Sequence, residues 1–120
     1  MGEGSAKTTL RIDFPGGIRL GPGKADLLAL VAEHGSISAA GAAMGMSYRR
    51  AWLLIDEINH MFREPSVVTR HGGKAGGGAE LTSFGQDLLA RYRGMEAATR
   101  AAIAADLSYL CGELSVTKPE

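Results

Sequence analysis

Between Ser47 and Leu53 the chain reads Ser-Tyr-Arg-Arg-Ala-Trp-Leu. Two guanidiniums, a phenol, an indole and a hydroxyl crowd into two helical turns, and no carboxylate stands among them. Further on come Arg70, His71 and Lys74, the last inside His-Gly-Gly-Lys-Ala-Gly-Gly-Gly. Donors of this kind suit an acceptor-rich polyanion. Arginine pairs bidentately with the O6 and N7 edge of guanine, and lysines or hydroxyls meet phosphate oxygens. Upstream, Ser36 and Ser38 in Gly-Ser-Ile-Ser offer two more hydroxyls. The candidate DNA-contacting residues are therefore Ser36, Ser38, Ser47, Tyr48, Arg49, Arg50, Trp52, Leu53, Arg70, His71 and Lys74.

A pair of helices must hold these groups outward. Ser38 to Met44 is a short helix of small residues, with Ser38 as its cap and Ile37 stapled beside it. Gly45 permits a left-handed turn. Met46 plugs the corner, and Ser47 caps a second helix that continues to about Phe62 before Pro65 stops it. Ala39, Ala40 and Gly41 let the helices approach, and Met44, Ala51, Leu54 and Ile58 form the shared seam. At about 100° per residue, Ala51, Ile55, Ile58 and Phe62 share the inner face. Arg49, Leu53, Asp56 and His60 point the opposite way, with Trp52 and Arg50 on the boundaries. This is the pattern of a helix-turn-helix whose second helix can enter a major groove.

The remaining elements frame that pair. Leu10, Ile12 and Phe14 alternate with Arg11 and Asp13, and Pro15-Gly16-Gly17 turns the chain into Ile18 and Leu20, which predicts a hairpin. Leu27, Leu28, Leu30 and Val31 make a helical stripe closed by Gly35. Val67–Arg70 and Ala79–Leu81 form a second hairpin, a wing with a long glycine tip. Thr82 caps a last helix from Ser83 to about Leu110, too long for so small a core to cover. Its stripe of Tyr92, Met95, Thr99, Ala102, Ile103, Leu107 and Leu110 is the expected dimer interface. The organisation expected is a disordered 1–8, a winged helix-turn-helix over 9–81, a dimerisation helix over 82–111 and a flexible tail over 112–120. The fold class is mainly α with small β elements.

Bulk properties fit a single small domain. The chain has 120 residues, 45% of them hydrophobic, and a formal net charge of zero. The charge is not evenly spread. Residues 47–74 carry Arg49, Arg50, Arg63, Arg70 and Lys74 against Asp56, Glu57 and Glu64, a local basic excess that a dimer would double. No apolar run suits a signal peptide or a membrane span, and a cytoplasmic setting is expected. With one cysteine, Cys111, neither an internal disulfide nor a cysteine zinc site forms; it reads as an interface filler. His34, His60 and His71 are too scattered for a metal site. The glycine loop fails the phosphate-loop pattern because Ala75 follows Lys74. No cofactor and no enzymatic activity are expected.

The order hairpin, three helices, wing and long helix resembles the winged helix-turn-helix of LysR-type regulators. It is more similar to the N-terminal domain of ModE-type molybdate-responsive transcriptional regulators. Gly-Ser-Ile-Ser at 35–38, Ser-Tyr-Arg-Arg-Ala-Trp at 47–52, Ile-Asp-Glu-Ile-Asn at 55–59, Gly-Gly-Lys-Ala-Gly-Gly-Gly-Ala at 72–79 and Leu-Thr-Ser-Phe-Gly-Gln-Asp-Leu-Leu at 81–89 carry the likeness. The resemblance implies a homodimer on a palindromic operator near molybdenum genes. The complete family form continues into small β-barrel domains that bind molybdate or tungstate. This chain stops about ten residues after its last helix, so it is expected to lack its own oxyanion sensor and to respond through a partner such as a molybdate-sensing homologue. The alternative expectation is a protein-interaction module that heterodimerises with a full-length regulator.

Overall fold

In the computed structural model, residues 6–70 and 78–115 are described. Two short strands, β1 (Ile12–Phe14) and β2 (Ile18–Leu20), pair antiparallel with Ile12 opposite Leu20 and Phe14 opposite Ile18. Helices α1 (Pro22–His34), α2 (Ile37–Ala43) and α3 (Tyr48–Asn59) follow. A second antiparallel hairpin, β3 (Val67–Arg70) and β4 (Gly78–Leu81), leads into α4 (Ser83–Gly112). The fold is mainly α with small β elements, as the periodicities predict.

The core is a single cluster in which each helix contributes a stripe. Leu27, Leu28 and Val31 of α1 meet Ile37 and Ala40 of α2, Ala51, Ile55 and Ile58 of α3, Val67 and Leu81 of the hairpin, and Leu88 and Tyr92 of α4. Burying each large aliphatic side chain contributes roughly 1.5–3 kcal/mol. Pro22 occupies the first position of α1, where its missing N–H costs nothing.

The α2–α3 corner forms as the glycines require. Gly45 has φ of 72°, a conformation that side chains with a Cβ resist. Gly41 faces Ala51, and a Cβ on it would lie 2.5 Å from that of Ala51. The cap differs from expectation: Ser36, not Ser38, accepts from the N–H of Ala39 at 3.0 Å. Ile37 is consequently inside α2 and buried rather than stapled ahead of it. Ala39 is exposed and takes no part in the close approach.

Helix α3 ends earlier than Pro65 suggests. Asn59, the last residue of α3, is the hub of the next turn. Its Oδ1 accepts from the N–H groups of Ser66 (2.8 Å) and Val67 (2.9 Å), and its Nδ2 donates to the Val67 carbonyl at 3.0 Å. A side chain that supplies this many backbone partners competes with continuation of the helix. Asn59→Ala is expected to destabilise the fold by about 2–3 kcal/mol, because two N–H groups beside buried residues lose their acceptor. Urea denaturation would show it as a lower midpoint at unchanged slope.

Beyond Tyr92, α4 leaves the core. The helix spans about 45 Å at 1.5 Å per residue, and the molecule measures 59 × 34 × 22 Å. Its radius of gyration is 18.0 Å, against roughly 14 Å for a compact chain of this length. Two expectations change here. Tyr92, placed in the dimer interface by its spacing, is fully buried within the protomer, and its hydroxyl donates to the Leu10 carbonyl at 2.7 Å. Burial and the neighbouring Glu96 hold that phenol above its ordinary range. Residues 6–8, expected to be loose, lie against α4, where Ala6 and Thr8 form a groove with Ile103, Leu107 and Cys111. The expectations for residues 1–5 and 116–120 and for the glycine tip at 71–77 lie outside the described residues.

Candidate nucleic-acid interface

The first two turns of α3 turn one face to solvent and the other to the core. Ser47 caps the helix by accepting from the N–H of Arg50 at 3.1 Å. That bond fixes the direction in which the following side chains emerge. Ala51 and Ile55 turn inward, so Arg49, Arg50, Trp52 and Leu53 are exposed. Among the described residues, Arg49 and Arg50 have no carboxylate within ion-pair distance.

The acidic residues further along α3 are engaged elsewhere. Glu57 pairs with Lys24 at 2.8 Å, and Lys24 also donates to the Arg19 carbonyl at 2.7 Å. Asp56 stands 3.6 Å from Nδ1 of His60, whose ring nitrogen is also 2.8 Å from the Asp56 carbonyl oxygen. These contacts lie at the C-terminal half of the helix, leaving its N-terminal half net positive. A helix N-terminus also carries the positive end of the peptide dipoles, so arginine charge and backbone field act in the same direction.

A groove of about 250 Å³ separates α3 from the second hairpin. Ser36, Ser38, Tyr48, Trp52, Thr69 and Arg70 line it. Tyr48 and Trp52 meet edge to face with ring centroids 6.1 Å apart. The hairpin is held in place by a bond from the Ala79 N–H to the carbonyl of Gly35, 2.9 Å long, at the end of α1. Arg70 approaches Glu80 at 3.6 Å, but both side chains are more than half exposed, and a surface pair of that kind adds little.

The candidates therefore separate into groups. Tyr48, Arg49, Arg50, Trp52 and Leu53 share the outward side of α3, and Ser38 and Arg70 border the adjoining groove. Ser36 and Ser47 also lie here, with their oxygens occupied as helix caps. His71 and Lys74 fall outside the described residues. Thr69 belongs to the groove and escaped the sequence reading; its place on β3 two residues after the buried Val67 was the available signal. Lys24 was missed as well, since nothing local ties it to Glu57. Among the described residues, no three His, Cys, Asp or Glu side chains gather to hold a metal ion.

Comparison with known proteins bears on this arrangement. The chain is 42% identical over 71 residues to the DNA-binding transcriptional dual regulator ModE of Escherichia coli strain K12, covering 59% of this chain and 27% of that protein. It is 37% identical over 87 residues to the molybdenum transport protein ModE of Azotobacter vinelandii, or 72% of this chain and 32% of the relative. The chain is a homologue of the ModE-type molybdate-responsive regulators. The ModE-type likeness extends to the molybdenum-pterin-binding protein MopB of Rhodobacter capsulatus, 44% identical over 81 residues, 68% of this chain and 30% of the relative. The chain thus spans about a third of the length of the curated relatives it matches. No family model matches it. These relatives are named as regulators and molybdenum-binding or transport proteins rather than enzymes. No helix among the described residues is long and apolar enough to cross a membrane.

Proposed function

We propose that this chain is a molybdenum-linked transcriptional regulator that binds double-stranded DNA as a homodimer. Residues 9–81 act as a winged helix-turn-helix, with α3 in the major groove and the β3–β4 hairpin as the wing on the flanking backbone. Residues 82–111 join two protomers through the distal part of α4, so that two α3 helices meet the halves of a palindromic operator in the cytoplasm. The observation that carries this reading is the exposure of Arg49 and Arg50 at the positive end of α3, with no carboxylate among the described residues within ion-pair distance of either. Homology to the ModE-type regulators supports the link to molybdenum.

Fluorescence anisotropy with labelled duplexes at increasing salt tests it. The logarithm of the binding constant should fall linearly with the logarithm of salt, with a slope of about −0.9 per phosphate neutralised. Salt-independent binding, or none, would defeat the proposal. Arg49→Ala is expected to cost roughly 1–3 kcal/mol on the preferred site and to relax preference at one base pair. Equal losses across all operator variants would instead assign Arg49 to a phosphate.

A second reading has one observation in its favour. Tyr109, Leu110 and Leu114 are large, apolar and exposed near the end of α4, and such a surface equally suits the matching helix of a full-length ModE-type protein. Light scattering separates the two: a dimer of the chain alone at micromolar concentration supports the homodimer. A monomer that pairs only with the longer homologue supports the interaction module.

A further inference from the structure

Leu53 has no partner that its chemistry explains. Its side chain is 56% exposed and lies outside the core cluster and its partly buried fringe. It stands on the outward side of α3, one turn after Arg49 and three residues before Asp56. Tyr48 and Trp52 are turned toward the groove beside the second hairpin. Leu53 is the one aliphatic side chain among the exposed Tyr48, Arg49, Arg50 and Trp52. The charge and hydrogen-bonding groups of that face suit a polyanion better than an apolar protein surface. On the floor of a DNA major groove, the base edges present hydrogen-bonding groups with a single apolar feature, the C5 methyl of thymine.

We propose that Leu53 reads a thymine methyl lying close to the guanine contacted by Arg49. The inference rests on the DNA-binding reading above and adds the base it selects. Its geometry follows from the helix. Arg49 and Leu53 are separated by four residues, about 6 Å along the axis, and successive base pairs are about 3.4 Å apart. The thymine and the guanine therefore lie within roughly two base-pair steps of each other. Arg49 supplies the polar half of the recognition and Leu53 the apolar half. Cytosine at the thymine position would place an amino group, with no methyl, against the leucine.

The test uses the full chain. Selection from randomised duplexes yields its preferred site, and each thymine is then replaced singly by deoxyuridine, which removes the methyl and nothing else. Wild type should lose roughly fourfold in affinity at one thymine per half-site, the effect of about one buried methyl group. Leu53→Ala, which leaves the core untouched, should bind more weakly and show no further loss at that thymine. The guanine sensitive to Arg49→Ala should lie within about two base pairs of it. The proposal is overturned if no thymine methyl matters, if Leu53→Ala keeps the same dependence, or if the two positions are further apart. Failure to enrich any duplex would bring down the DNA-binding reading itself, and this inference with it.

Discussion

Gly85→Ala is expected to lower the unfolding free energy by about 2–3 kcal/mol, the cost of overpacking a tight contact. The melting midpoint should drop by roughly 10 °C, given about 3–6 °C per kcal/mol for a chain of this size. The direction runs against helix propensity, which favours alanine over glycine by about 1 kcal/mol inside a helix. Gly85 lies in the first turn of α4, where its N–H donates to the Thr82 hydroxyl at 2.9 Å. That hydroxyl in turn donates to the Pro65 carbonyl at 2.8 Å, and the Thr82 N–H bonds the Ser66 carbonyl at 2.9 Å. The first turn of α4 is thereby drawn onto Pro65 and Ser66, which lead into β3. A Cβ at position 85 would collide with the Ser66 carbonyl oxygen and sit 2.9 Å from its carbonyl carbon. Backbone cannot rotate away as a side chain can, so the α4–β3 junction must open. Gly94→Ala is the control. It lies in the same helix with nothing within 4 Å of an added Cβ, so alanine there should stabilise by about 0.5–1 kcal/mol. If both variants gained stability in urea denaturation, the described junction would be incorrect.

Gly85 also marks where local sequence stops being informative. The start of α4 could be read from Thr82 because a capping hydroxyl acts three residues away. Gly45 could be read because its turn is local too. The outward face of α3 followed from angular spacing alone, since Ala51, Ile55 and Ile58 leave only one side free. What could not be read depended on partners distant in the chain. Asn59 looks like an ordinary helical residue until Ser66 and Val67 are brought under it. Both Ser36 and Ser38 are chemically fit to cap α2; Ser36 does so, and Ile37 lies in the core inside the helix it starts. Tyr92 fits the apolar stripe of α4 equally well as core or as interface. Its assignment to the core depends on Leu10, far away in the chain, lying within reach of its hydroxyl. The exposure of Tyr48, Arg49, Arg50, Trp52 and Leu53 was legible for the same reason as the outward face of α3, because these residues sit on α3 itself. Thr69, which joins it across a groove, was not.

The largest expected effect on binding belongs to the double substitution Leu107→Asp/Leu110→Asp. Counting about 100° per residue from Tyr92, the positions 99, 103, 107 and 110 stay within about 60° of its direction. The stripe that enters the core at Leu88 and Tyr92 thus continues after the core has ended. None of Ile103, Leu107 and Leu110 packs against that core, and Leu110 is 57% exposed. The change should therefore leave the protomer folded, with an unfolding midpoint near that of wild type when both are monomeric. In the proposed dimer it places four carboxylates across a shared apolar seam, and burying each without a partner costs several kcal/mol. Light scattering at tens of micromolar should then report a monomer. DNA affinity should fall by about 10²–10⁴, because the second half-site is no longer held at high effective concentration. A residual half-site affinity with an unchanged response to Arg49→Ala would show that the reading helix itself is intact. The loss would then lie in the spacing of two such helices, which must sit about 34 Å apart to meet successive turns of one groove. If the variant remained dimeric and bound as wild type, the distal stripe of α4 would have to be released from the interface, and the two protomers joined through some other face.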